Sequence, residues 1–231
     1  MAVIVHIETT TRVCSVALSQ DRQCICSRES TDGPSHGTLL GPYVSEMVSM
    51  ADSHAIPIDA VAVSRGPGSY TGLRIGASTA KGLCYARNLK LIPVDTLQLL
   101  CVPLLLYRDD LPQDALFCPM LDARRMEVYT AVYTRALTEV LPVQAKVVDS
   151  CSFRDQLAVG PVVFFGDGSA KCKDVVCHSN AIFVEGIVPL AKHMVPLAEM
   201  MFARGQTVDP ATFEPFYLKN FVPTTPKKLF D

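Results

Sequence analysis

Three short stretches hold the residue types best suited to chemistry. The first, Gly66-Pro-Gly-Ser-Tyr-Thr-Gly-Leu-Arg-Ile-Gly76, lies between the apolar run Ala60-Val-Ala-Val63 and a segment of helical periodicity. Glycines at a strand-to-helix junction let a ligand approach the backbone, and a helix N-terminus offers unpaired N–H groups. Gly66, Gly68 and Ser69 could therefore cradle a phosphate. No Walker Gly-Lys-Ser/Thr follows, and Thr71 stands where a dinucleotide fingerprint has its third glycine, so a tight turn into a helix explains the stretch as well. The second, Glu8-Thr-Thr-Thr11, places an acid and three hydroxyls after the first apolar run. Glu8, Thr9 and Thr10 suit phosphate or magnesium-bound water, or a polar turn that satisfies itself. In the third, Asp122, Arg124 and Arg125 fall at a predicted hairpin tip, where they could grip an anion or simply be solvated. Gly166-Asp-Gly168 is a weak turn signal.

A metal site is not legible. The five histidines, His6, His36, His54, His178 and His193, form neither HxxxH nor HExxH. The nine cysteines, at positions 14, 24, 26, 84, 101, 118, 151, 172 and 177, include no CxxC pair. Most lie in apolar runs, as buried reduced thiols do.

Strands and helices must position these groups. Val3–Ile7, Val13–Leu18 and Gln23–Glu29 are joined by short polar turns and predict an antiparallel meander. Apolar spacing predicts a helix over about Leu39–His54, with Pro42 in its first turn. There follow a strand at Ala60–Val63, a helix from Tyr70 or Thr71 to Asn88, a strand at Leu91–Val94, and an apolar helix capped by Thr96 and running to Tyr107. Arg108–Gln113 is the candidate boundary between lobes 1–107 and 108–231. The order then repeats: strands at Ala115–Leu121, Met126–Thr134 and Val140–Val148, a short helix at Ser152–Ala158, a strand at Val162–Phe165, and helical spacing over Pro189–Arg204. Two meanders, each followed by α/β units, predict a duplicated lobe. The tail Thr224–Lys228 is polar and expected to fray, and the C-terminal end could pack back on the first lobe.

On the second predicted helix, Thr71, Arg74, Ser78, Lys81, Tyr85 and Asn88 share one stripe, with Gly72 and Gly76 four residues apart. Glycine inside a helix costs up to about 1 kcal/mol relative to alanine, so a compensating close approach by another helix is expected. The preceding helix carries only Glu46 and Asp52 as charges. Two helices so short of ions are candidates for an interface. The residues expected there are Leu39, Tyr43, Met47, Met50, Gly72, Arg74, Gly76, Thr79, Ala80 and Leu83.

Composition is consistent with that expectation. Of 231 residues, 19% are charged, against about 25% in an ordinary soluble domain. Hydrophobic residues reach 49%, mean hydropathy is +0.25 and net charge is -2. Intrinsic disorder is excluded, and the overall field does not suit gripping nucleic acid. The most apolar stretch, Leu97–Tyr107, is interrupted by Gln98 and Pro103, well short of the roughly 20 apolar residues of a membrane span. The N-terminus lacks the basic region and cleavage site of a signal peptide, so a cytoplasmic location is expected.

Together Ile7–Thr11, Cys14-Ser-Val-Ala-Leu18, His36 opening a helix, Ala60–Gly76, Ala80-Lys-Gly-Leu83 and Asp122-Ala-Arg-Arg…Glu127-Val-Tyr129 resemble the TsaB (YeaZ) family. These are the glycoprotease-like proteins of bacterial tRNA threonylcarbamoyladenosine (t6A) synthesis. The resemblance covers nearly the whole chain in order, is weaker after Val148, and closes on Phe216-Tyr-Leu-Lys-Asn220. It implies an α/β, two-lobed actin/Hsp70-like ATPase fold, each lobe a mixed sheet with a three-strand meander plus helices. It further implies a non-catalytic subunit that binds the catalytic paralogue TsaD together with the ATPase TsaE. The same face would form a homodimer when TsaD is absent, tRNA would be met only indirectly, and ATP or ADP could bind in the assembled complex. The metal-binding histidines of TsaD would fall at Thr96 and Leu100, and Glu8 replaces the superfamily's aspartate. A competing reading is an autonomous ATP-dependent kinase or hydrolase built on Glu8, Thr9, Thr10 and Gly66–Gly68. A metallopeptidase is suggested only by the glycoprotease label and conflicts with the missing histidines.

Overall fold

The computed structural model describes residues 2–31, 33 and 35–219; the expected fraying at Thr224–Lys228 and the end of the Phe216–Asn220 segment lie outside them. Val3–Glu8 (β1) is buried at every position, His6 and Glu8 included, as befits a central strand. Cys14–Gln20 (β2) pairs antiparallel with β1, Val5 opposite Leu18, and Gln23–Ser30 (β3) forms the edge. Ala60–Gly66 (β4) and Lys90–Asp95 (β5) add in parallel on the other side, giving the order β3-β2-β1-β4-β5.

The second sheet repeats this order. Leu116–Asp122 (β6), Glu127–Tyr133 (β7) and Glu139–Val147 (β8) form the meander, and Val162–Phe165 (β9) and Ala181–Val184 (β10) add in parallel beside β6. Followed outward from β8 the order is β8-β7-β6-β9-β10, so both halves carry one topology, that of the duplicated actin/Hsp70-like ATPase fold.

Period-two alternation divides the first sheet between two cores. Val5, Ile7, Val16, Leu18, Val61 and Val63 face the helices His36–Ser53 (α1) and Tyr70–Arg87 (α2), where Leu40, Met47, Ala77 and Ala80 meet them. Ile4, Ala62, Ile92 and Val94 point the other way, toward Leu99 and Val102 of helix Thr96–Tyr107 (α3). The remaining sides of α3, at Leu97, Leu100, Cys101 and Leu104, pack on Phe117, Leu121 and Phe165 of the second sheet. α3 is thus apolar all round because it is packed between two sheets, and part of the charge deficit is internal. Among the described residues no helix is long and apolar enough to cross a membrane. The far face of the second sheet packs on Arg154–Val159 (α4) and its surroundings through Phe153, Leu157 and Cys172.

Some expectations need correction. Asp95, not Thr96, is the N-cap of α3, and Thr96 is its first helical residue, fully buried. The single helix expected over Pro189–Arg204 is a 3-10 turn, Ala191–Met194, followed by Val195–Ala203 (α5), with Pro196 in the first turn. β10 carries no legible strand signal, because four half-exposed residues show too little alternation. Cys14, Cys84, Cys101, Cys118 and Cys172 are buried, whereas Cys24, Cys151 and Cys177 are exposed, and all nine cysteines are free thiols.

Although they follow the second sheet in sequence, residues 190–213 return to the first. Met194, Leu197 and Ala198 pack on Ile4, Ala62 and Ile92. The Ala191 N–H donates to Ser15 Oγ at 2.9 Å, and the Val208 N–H donates to the Leu91 carbonyl at 2.9 Å.

Candidate functional site

Glu8 ends β1 with its carboxylate wholly buried. One carboxylate oxygen accepts from the Thr10 N–H at 2.6 Å and from the Thr10 hydroxyl; the other accepts from the Ser64 hydroxyl on β4. Burial pushes this carboxyl above the usual range, and the Ser64 and Thr10 hydrogen bonds only partly oppose that. Thr9 and Thr10 are each 2% exposed. Thr9 Oγ1 donates to the Gly72 carbonyl at 2.8 Å, and His36 Nε2 donates to the Thr9 and Thr11 carbonyls at 3.0 and 2.8 Å. The turn is held from three sides by its own chain.

The glycine loop meets this turn directly. Ser69 caps α2 by accepting from the Gly72 N–H at 3.3 Å, and its own N–H donates to the Thr10 carbonyl at 2.7 Å. A β-carbon on Gly68 would lie 2.6 Å from Thr10 Cβ. On Gly72 it would lie 1.9 Å from the Thr9 carbonyl oxygen, and on Gly76 2.3 Å from Thr9 Oγ1. The structure therefore brings Glu8, Thr9, Thr10, Gly68 and Ser69 together, but against one another, while Gly66 packs on the Phe216 carbonyl, which a β-carbon there would meet at 2.5 Å. Their donors and acceptors do not fit a nucleotide phosphate or hydrated magnesium in this arrangement.

That contact also corrects the expected interface. Gly72 and Gly76 make room for the Thr9 turn, not for another helix. Met47 and Ala80 are fully buried in the α1–α2 core. Leu39, Tyr43, Met50, Thr79 and Leu83 are half-buried and Arg74 is exposed, so these six stay accessible. On these two helices the glycines with open space above them are Gly37 and Gly41 of α1 and Gly82 of α2. Their signal was present in the sequence, since Gly37 and Gly41 are one turn apart, but only packing distinguishes an open glycine from a filled one.

A C-terminal segment crosses the same end of the molecule. Lys81 Nζ donates to the carbonyls of Ala211 and Phe213 at 3.2 and 3.0 Å. The Phe216 N–H donates to the Arg65 carbonyl at 2.6 Å, and Tyr217 packs on Tyr70 with ring centroids 5.0 Å apart. Lys219 then pairs with Glu127 of the second sheet. Between α2 and this segment lies an open groove of 340 Å³ lined by Tyr70, Arg74, Lys81 and Tyr217, among others.

The β6–β7 hairpin occupies the place in the second half that the Thr9 turn holds in the first. The Asp122 N–H donates to Asp167 Oδ1 at 3.0 Å, and a β-carbon on Gly168 would lie 2.8 Å from the Leu121 carbonyl carbon. Glycine-loop packing against a strand end is thus repeated. Arg124 and Arg125, in contrast, project into solvent.

Comparison with known proteins places this geometry. A family model described as TsaD, tRNA N6-adenosine threonylcarbamoyltransferase, matches residues 32–203. The tRNA threonylcarbamoyladenosine biosynthesis protein TsaB of Escherichia coli (strain K12) is 33% identical, covering 95% of this chain and 95% of that one. The chain belongs to the TsaB family. TsaB of Haemophilus influenzae is 27% identical over 98% of this chain and 96% of its own. YeaZ from Pseudomonas aeruginosa shares the fold, with a TM-score of 0.78 at 24% identity over 94% of this chain and 100% of that one. These TsaB relatives are named for t6A biosynthesis. In this TsaB-family chain, Thr96 and Leu100 are both fully buried on α3. Among the described residues no three His, Cys, Asp or Glu side chains gather as a metal-ligand cluster.

Proposed function

We propose that this TsaB-family chain is a non-catalytic subunit of t6A formation. It binds and organises the catalytic paralogue TsaD through the outward face of α1 and α2, with TsaE joining the assembly. The same face pairs two copies when TsaD is absent. The observation that carries the reading is a contrast on α2. The inward glycines Gly72 and Gly76 are filled by Thr9, while the outward Gly82, with Gly37 and Gly41 on α1, meets only open space, and half-buried Leu39, Tyr43 and Met50 line the other flank of α1. Open glycines let a partner's helices approach closely, and the half-buried apolar flank gives that partner something to cover. An autonomous kinase or hydrolase is disfavoured because Glu8 and Thr10 spend their polar atoms on each other and on Ser64. In this reading ATP or ADP enters only with the assembled complex. The working units are lobes 1–107 and 108–231, with the C-terminal segment returned to the first.

The test is reconstitution of tRNA modification from TsaD, TsaE and the carbamoyl-adenylate synthase, with and without this chain. Omission abolishes modification. A Gly41→Leu/Gly82→Leu double variant, which meets only open space within the chain, folds normally but binds TsaD at least about tenfold more weakly, the equivalent of about 1.4 kcal/mol of overpacking. Unchanged affinity in a folded variant would remove this face from the reading.

A further inference from the structure

We propose that the β6–β7 hairpin, through Arg124 and Arg125, is a direct contact for the phosphodiester backbone of RNA. This rests on the t6A reading above and goes beyond it, since there the chain meets tRNA only through its partner. Both arginines hold left-handed backbone, with φ 69° and 49°. Residues bearing a β-carbon disfavour that region, and glycine or asparagine ordinarily fills it. The turn is nevertheless held firmly. The Arg124 N–H donates to Asp122 Oδ1 at 3.0 Å, and the Glu127 N–H closes the turn on the Arg124 carbonyl at 3.2 Å. Lys171 Nζ donates to the Arg125 and Glu127 carbonyls at 2.6 and 2.7 Å and pairs with Asp122.

Of the neighbouring carboxylates, Asp122 pairs with Lys171 and Glu127 with Lys219, while Asp167 accepts from the Asp122 N–H. Neither Arg124 nor Arg125 has an ion-pair partner among the described residues, and the two are adjacent at an exposed tip. Two exposed guanidiniums with uncompensated charge, on a strained but braced turn, suit recognition of phosphate. The tip lines neither the groove beside α2 nor a second groove of 340 Å³ beside α4. A small nucleotide needs a concave site, whereas a protruding hairpin fits a backbone that presents phosphates at its surface.

The test compares the wild type with Arg124→Asn/Arg125→Gly and Arg124→Lys/Arg125→Lys, each assembled with TsaD. Each assembly is titrated with an unmodified tRNA transcript over a range of salt concentrations. The Asn/Gly variant relieves the strained backbone, so it melts a few degrees higher yet binds tRNA more weakly. Its slope of log affinity against log salt is shallower by roughly 2, about one for each phosphate that the hairpin no longer neutralises. The Lys/Lys variant keeps most of the slope. Wild-type affinity and slope in the Asn/Gly variant would overturn the proposal. So would loss of TsaD binding without RNA, which makes the hairpin a protein contact, or loss of ADP or ATP binding without RNA, which makes it a nucleotide site. Failure of the underlying reading looks different: modification proceeds equally well with the chain omitted, and both fall together.

Discussion

His6 and Glu8 stand two residues apart on β1, on the same face, and both are wholly buried. His6 Nε2 lies 2.7 Å from Ser19 Oγ, and burial pushes its imidazole down to about 3. Folded His6 thus stays neutral where an unfolded histidine takes a proton. Its contribution to stability is intact above about pH 6.5 and is lost as pH falls toward 3, by about 1.4 kcal/mol per pH unit. Glu8 has the opposite sign. Its raised value makes its contribution complete below about 4.5 and lost as pH rises through the folded value. Urea unfolding of wild type and His6→Gln across roughly pH 4–8 should show a shallower acid limb in the variant. Parallel curves would mean that His6 is charged in the fold. An acid at the end of β1 is plain from the residue order; that Ser64, 56 residues away, completes its shell follows from strand pairing.

At the scale of the element, α2 carries two kinds of glycine that sequence cannot separate. Gly72 and Gly76 are the floor on which the Thr9 turn rests, and Gly82 faces open space. Gly72→Ala forces a methyl against the Thr9 carbonyl oxygen and should destabilise the chain by about 1–3 kcal/mol. Gly82→Ala adds a helix-favouring residue without a clash and should stabilise the isolated chain by about 0.5–1 kcal/mol. Denaturant midpoints of the two variants check both signs, and a gain at Gly72 would refute the packing described. The helix itself was legible from the 3.6-residue spacing of its apolar positions. Which neighbour its glycines serve was not, because Thr9 lies far upstream in the chain and reaches α2 only through the fold.

For the whole molecule, the core of the first sheet draws on residues from both ends of the chain. The second face of the first sheet is covered by α3 and by α5, which follows the second sheet in the chain. A fragment of residues 1–107 would leave Ile4, Ala62 and Ile92 without Met194, Leu197 and Ala198. It should therefore show no cooperative unfolding transition alone, whereas the full chain shows one. A cooperative fragment in calorimetry would show that α5 is dispensable to that core. The segment from Phe213 to Lys219 crosses the same join, touching α2, the glycine loop and the second sheet's hairpin in turn.

Alternation and helical periodicity are local properties that backbone geometry enforces, so the duplicated order of strands and helices could be read from the residues alone. The family was legible by a different route, the resemblance of particular motifs, above all the run from Ala60 to Gly76. What those residues do is a property of the folded chain. A glycine, a buried acid or a pair of arginines takes its role from what lies within a few ångströms, and those neighbours are distant along the chain. So the loop that looked like a phosphate cradle is filled by Thr9 and Thr10. The apolar α3, too interrupted for a membrane, is the layer between two sheets. The open helix face and the exposed basic hairpin are apparent only once packing has shown which apolar and charged groups the fold itself uses.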